Sequence, residues 1–102
     1  MASVKVAQVG EIAPGSGKVA SAGGKAIAVF NIGGVFYAID NTCTHRGGPL
    51  GEGQVQGNVV TCPWHGSQFD VITGQLVKGP ATRPVSAYPT RVQDNDVLVD
   101  IG

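Results

Sequence analysis

The sequence predicts an all-β protein, an antiparallel sandwich or barrel-like scaffold, and three observations carry that expectation. Sixteen glycines and six prolines among 102 residues disfavour long helices, because Pro removes a helical donor and Gly costs backbone entropy. The apolar residues fall instead into short groups rich in Val and Ile, side chains that suit a pleated surface. Between the groups stand residues that accept tight turns, so most connections are expected to be hairpins.

In chain order the expected strands are 3-SVKVAQV-9, 18-KVASA-22, 25-KAIAVFNI-32, 35-VFYAID-40, 57-GNVVTC-62, 68-QFDVI-72, 84-PVSAYPTRVQ-93 and 96-DVLVDI-101. Gly23-Gly24, Gly33-Gly34, Thr73-Gly74 and Asp94-Asn95-Asp96 supply the turns. In 96-DVLVDI-101, Val97, Val99 and Ile101 share one face, which marks a half-buried strand. The stretch 25-KAIAVFNI-32 is apolar on both faces and is expected to lie more centrally. From about Asp40 to Ala81 the pattern loosens into Gly-rich loops, an excursion from the scaffold of the kind that often carries function.

A chain of this length is expected to form one domain over residues 1–102, with enough core to fold without disulfides. Seven basic and seven acidic residues cancel and form no basic stripe, which argues against a nucleic acid or an anionic membrane as partner. The N-terminus MASVKVAQVG does not read as a signal peptide, and no run approaches the roughly 20 apolar residues of a membrane span. The expectation is a cytoplasmic protein whose cysteines are free thiols or metal ligands.

The chain has two cysteines and two histidines, and they pair. Cys43-x-His45 lies in 42-TCTHRGG-48, and Cys62-x-x-His65 lies in 61-TCPWHGSQFD-70, with sixteen residues between the pairs. Small buried thiols with unrelated histidines would explain neither the pairing nor the loop setting. Thiolate and neutral imidazole suit zinc or an iron–sulfur cluster. Structural zinc sites commonly pair like ligands locally, whereas each loop here offers one Cys and one His. A two-Cys, two-His zinc site stays open, but a binuclear cluster with thiolates on one iron and imidazoles on the other accounts better for the repeated pairing. No serine has a histidine to activate it once both histidines bind metal, and no Gly-rich phosphate loop opens a helix. Hydrolysis and nucleotide binding are therefore not expected.

The pattern C-T-H…C-P-W-H-G-S resembles the Rieske [2Fe–2S] signature, and a β domain of about 100 residues with a mid-chain excursion is similar to the stand-alone Rieske ferredoxins of bacteria. The resemblance implies a Rieske-type β scaffold with a small loop-rich cluster-binding subdomain over about 41–81. It implies one [2Fe–2S] cluster, with Cys43 and Cys62 on the iron that stays ferric and His45 and His65 on the outer iron. Neutral imidazoles leave the oxidised cluster uncharged where four thiolates would leave it dianionic. An electron is then added more easily, in keeping with potentials of about −150 to +300 mV against about −400 mV for plant-type ferredoxins.

Respiratory members of that family tie the two loops with a disulfide, at positions corresponding to Gly48 and Trp64 here, so the resemblance is to the untied ferredoxin branch. High-potential members have Gly-Ser-x-Tyr after the second histidine, with both hydroxyls donating to sulfur. This chain has Gly66, Ser67, Gln68 and Phe69, so a potential towards the low end of the range, below about +100 mV, is expected. Gly47, Gly48, Gly66 and Gly79 would let backbone amides approach the sulfurs. The segment 79-GPAT-82 resembles the loop whose proline, Pro80, covers the cluster. Trp64 is expected over the cluster or, with Arg46 and Pro80, on a docking surface.

The function that the resemblance implies is one-electron transfer from a flavin-containing NAD(P)H reductase to a terminal, ring-hydroxylating oxygenase, by a monomeric carrier with no catalytic residues of its own. Two alternatives stand beside it: a Rieske-like small subunit of nitrite reductase or a related oxidoreductase, and a zinc-stabilised β interaction module.

Overall fold

The computed structural model describes residues 3–44, 47–64 and 66–101. Among these described residues, eleven strands form three antiparallel sheets. The first sheet takes β1 (Ser3–Gln8), β11 (Asp96–Asp100) and β10 (Thr90–Gln93), in that order. The second runs β2 (Ser16–Ala22), β3 (Lys25–Ile32), β4 (Val35–Asp40) and β9 (Ala87–Tyr88). The third is β5 (Gln54–Gln56), β6 (Val59–Thr61), β7 (Gln68–Asp70) and β8 (Leu76–Lys78), all short. Single 3₁₀ turns, Val9–Glu11 and Leu50–Glu52, complete the regular structure.

β3 is the central element, because it is apolar on both faces and each face is used. Ala28 and Phe30 enter one core with Leu50, Val60, Phe69, Cys43 and Cys62, while Ile27 and Val29 enter the other with Val97, Val99 and Phe36. The period-2 geometry of a strand puts alternate residues into the two cores. Val97 and Val99 are fully buried, and Ile101 packs against the same core from just beyond the strand. Among the described residues, no helix is long and apolar enough to cross a membrane.

Three expected strands lose two or more residues or are divided. The stretch 57–62 keeps only β6, because Gly57, at φ 62°, and Asn58 make the two-residue turn that pairs Gln56 with Val59. The stretch 68–72 stops at Asp70, whose Oδ1 accepts from the Ile72 and Thr73 amides at 2.8 and 3.3 Å and turns the chain. The stretch 84–93 is two strands in two sheets, β9 beside β4 and β10 beside β11. The break falls at Pro89, which has no N–H to continue a ladder. The turn after β10 is Asp94-Asn95, and Asp96 already pairs with Gln93. β5 and β8 lie outside the expected strands.

Candidate metal centre

The two cysteine loops are closed by the same pattern of backbone hydrogen bonds. In the first, the Cys43 amide donates to the Gly48 carbonyl at 2.9 Å, and the Gly47 amide donates to the Cys43 carbonyl at 2.9 Å. In the second, the Cys62 amide donates to the Ser67 carbonyl at 2.7 Å, and the Gly66 amide donates to the Cys62 carbonyl at 3.1 Å. Each is a six-residue turn with Cys first and a glycine fifth. That glycine has positive φ, 77° at Gly47 and 81° at Gly66, a conformation that L side chains resist. A Cβ on Gly66 would meet nothing within 4 Å, so its requirement is conformational and not one of space.

Gly48 has the opposite requirement. Its backbone is ordinary, yet a Cβ there would lie 2.5 Å from Cys62 Sγ and 3.2 Å from Trp64 Cγ. The end of the first loop thus presses on the second cysteine. Both thiols are free and buried, in one core with Phe69 and Leu50. Trp64 is 59 % exposed, which sets aside a buried scaffold role for it.

Ser67 is fully buried, and its Oγ accepts from the Ala81 amide at 3.0 Å. A hydroxyl also has one hydrogen to give, and among the described residues it makes no hydrogen bond with it. A buried donor of this kind calls for an acceptor. The thiolates and sulfides of an iron–sulfur cluster are acceptors of the right chemistry, so the residues present fit such a group.

The segment after β8 covers this region from the side. Pro80 is exposed, and it is Ala81, 4 % exposed, that enters the core beside the cysteines. Thr44 Oγ1 donates to the Arg83 carbonyl at 2.7 Å. Asp40, at the base of the first loop, accepts from the Ser86 amide at 3.1 Å through Oδ2 and from the Tyr88 hydroxyl at 2.5 Å through Oδ1. Burial first, and then the Asp40 carboxylate, push the Tyr88 phenol up to about 12. Gly79 has ordinary φ, and a Cβ there would make only ordinary contacts.

The structure therefore brings Cys43, Cys62, Gly48, Ser67 and Phe69 together, with Trp64 at their edge. His45, Arg46 and His65 lie outside the described residues. Among the described residues, no group of three or more His, Cys, Asp or Glu side chains is gathered to hold a metal. Sequence reasoning missed Thr44 and Ala81. The available signal was the place of Thr44 between Cys43 and His45, two residues with donor side chains.

Comparison with known proteins agrees with this geometry. Residues 2–89 match the family model described as the Rieske [2Fe-2S] domain. The biphenyl dioxygenase ferredoxin subunit of Pseudomonas sp. (strain KKS102) is 38 % identical over 101 residues, covering 98 % of this chain and 93 % of that one. The solved ferredoxin of carbazole 1,9a-dioxygenase from Nocardioides aromaticivorans IC177 is similar at a TM-score of 0.92 and 32 % identity, covering 97 % of each chain. A ferredoxin solved in complex with the reduced oxygenase of carbazole 1,9a-dioxygenase is similar at a TM-score of 0.89 and 35 % identity, over 95 % of this chain and 91 % of that one. The chain thus belongs to the Rieske [2Fe–2S] family, among small ferredoxins that carry electrons and do not catalyse, with one Rieske-type cluster held by Cys and His ligands.

Proposed function

We propose that Cys43, His45, Cys62 and His65 are the four ligands, and that residues 1–102 act as one domain whose excursion over about 41–81 holds the cluster. The observation that carries this reading is the pair of matching loops, each starting at a buried free cysteine and both ending against the same core. When bound, the cluster supplies a one-electron couple. The chain's own residues set its surroundings: Phe69 and Leu50 keep the thiol side dry, and Ser67 offers a hydrogen bond that favours the more negative, reduced state.

The chain serves a multicomponent dioxygenase system, receiving electrons from a flavin-containing NAD(P)H reductase and delivering them to a terminal oxygenase in the cytoplasm, as a monomer. Likeness to ferredoxin components of dioxygenase systems supports this, as does the exposed Trp64 beside the cysteine loops. Docking uses the tip around Trp64, Pro80 and Arg46, and interfaces for electron transfer are small, below about 1,200 Å² in total.

Metal analysis with an absorption spectrum tests the site. Two irons and two acid-labile sulfides per chain, with loss of the Rieske spectrum in His65→Cys, are the expected result. A colourless protein with one zinc would overturn it.

A further inference from the structure

Residues 79–86 leave β8 and return to β4 without forming a strand of their own, and they touch both cysteine loops on the way. Pro80, Thr82, Arg83 and Pro84 face outward. Ala81 and Val85, 4 % and 6 % exposed, face the core that contains both thiols. The Ala81 amide donates to Ser67 Oγ of the second loop at 3.0 Å. The Arg83 carbonyl accepts from Thr44 Oγ1 of the first loop at 2.7 Å. The far end is fixed to the scaffold, with the Val85 amide on the Gly74 carbonyl at 2.9 Å and Ser86 exchanging hydrogen bonds with Asp40 at 3.0 and 3.1 Å.

We propose that this segment is a non-covalent clasp between the two cysteine loops, and that through the Ala81 amide it fixes the direction in which Ser67 donates its hydrogen, with Thr44 as the positioning residue at the other end. No covalent bond joins the loops, since both cysteines are free and Gly48 and Trp64 carry no sulfur. A serine hydroxyl is a rotor with one hydrogen and two lone pairs. The Ala81 amide takes one lone pair, so the O–H is held to the directions that remain. Ser67 is fully buried, so bulk water does not compete for that hydrogen. Thr44 then acts at a distance: releasing its bond to Arg83 loosens the clasp, lets Ala81 drift from Ser67 and frees the rotor.

The clasp rests on the assignment of these loops to the cluster, and the two ideas fail differently. Wild-type protein without iron would sink the assignment itself. The clasp is tested on cluster-loaded protein by the midpoint potentials of Thr44→Val and Thr44→Ser, each made with Ser67 present and in Ser67→Ala. With Ser67 present, Thr44→Val is expected to lower the potential, so that the ratio of reduced to oxidised protein at a fixed solution potential falls about threefold, and Thr44→Ser is expected to restore it. In Ser67→Ala the Thr44→Val change is expected to have no effect, because the hydroxyl it directs is gone. An equal shift in both backgrounds, no shift in either, or failure of Thr44→Ser to restore the wild-type value would overturn the proposal. Should Thr44→Val take up no iron, hydrogen–deuterium exchange in Ser67→Ala decides. Faster exchange at both residue 81 and residues 83–86 supports a single clasp, and faster exchange at 81 alone overturns it.

Discussion

Gly48 stands against Cys62: a Cβ on residue 48 would lie 2.5 Å from the Cys62 sulfur and 3.4 Å from the Trp64 Cβ. The second distance is close to the roughly 3.5–4.5 Å between the Cβ atoms of a disulfide. Residues 48 and 64 therefore face one another across the loops, the two positions where the resemblance places the disulfide of respiratory members, and here the contact is glycine against an indole.

Replacing Gly48 by Ala tests that contact. The backbone tolerates the change, so the cost is steric, about 1–3 kcal/mol for an overpacked site. We expect lower iron content per chain and faster loss of the visible spectrum under chelator. Wild-type iron content and stability would show that the Cys62 sulfur has room to move away.

Phe69 is fully buried, in the core that holds both cysteines, and pairs with Val60 across β6 and β7. The wild-type midpoint is expected below about +100 mV, since Ser67 is the one side-chain hydroxyl of the Gly-Ser-x-Tyr pattern that remains. In Phe69→Tyr the new hydroxyl is expected to donate to a thiolate and raise the midpoint by about 40 mV, the electrical equivalent of one net hydrogen bond of about 1 kcal/mol. Potentiometric titration of the two proteins checks this, and equal midpoints would remove the reason for expecting a low one.

Trp64 is 59 % exposed on a turn whose ends are held by hydrogen bonds, the form of a preformed aromatic anchor. Trp64→Ala is expected to change stability by less than about 0.5 kcal/mol and to leave the midpoint unaltered. The second-order rate of electron delivery to the oxygenase is expected to fall about tenfold or more, equivalent to about 1.4 kcal/mol of lost contact. A normal rate would move the docking surface elsewhere.

The Tyr88 phenol, raised from 10.0 to about 12 by burial and by Asp40, links stability to alkaline pH. The folded state keeps a proton that the unfolded chain releases, so this stabilisation is complete below about pH 10 and is lost as pH rises through about 12. Phenolate absorption in a Tyr37→Phe background reads Tyr88 alone. Stability of Tyr88→Phe should fall less steeply over that window, and an equal slope would show that the pair contributes nothing.

The strands legible in the sequence were those with many apolar residues at a regular period. β3 and β4 occupy the expected ranges, because alternate side chains on each strand enter buried cores and leave the register no freedom. β5 and β8 were not legible, since three-residue strands with one or two apolar side chains owe their form to the neighbours they pair with. Pro89 was visible as a residue, but its effect, moving the chain from the sheet of β4 to the sheet of β11, depends on where those sheets lie. Thr44 and Ala81 escaped for a related reason: their hydrogen bonds span 39 and 14 residues.

The sequence by itself offered the donor types of the expected centre. Cys43-x-His45 and Cys62-x-x-His65 are local patterns, and ligand type follows from the side chains whatever the fold around them. It also determined the absence of a tie at positions 48 and 64 and of a hydroxyl at position 69. Only the tertiary structure decided that the two loops are closed by the same hydrogen bonds, that Gly48 must be small because Cys62 is beside it, and that the 79–86 segment reaches both loops. Those are distances between residues far apart in the chain, and they exist only once the sheets have set the loops side by side.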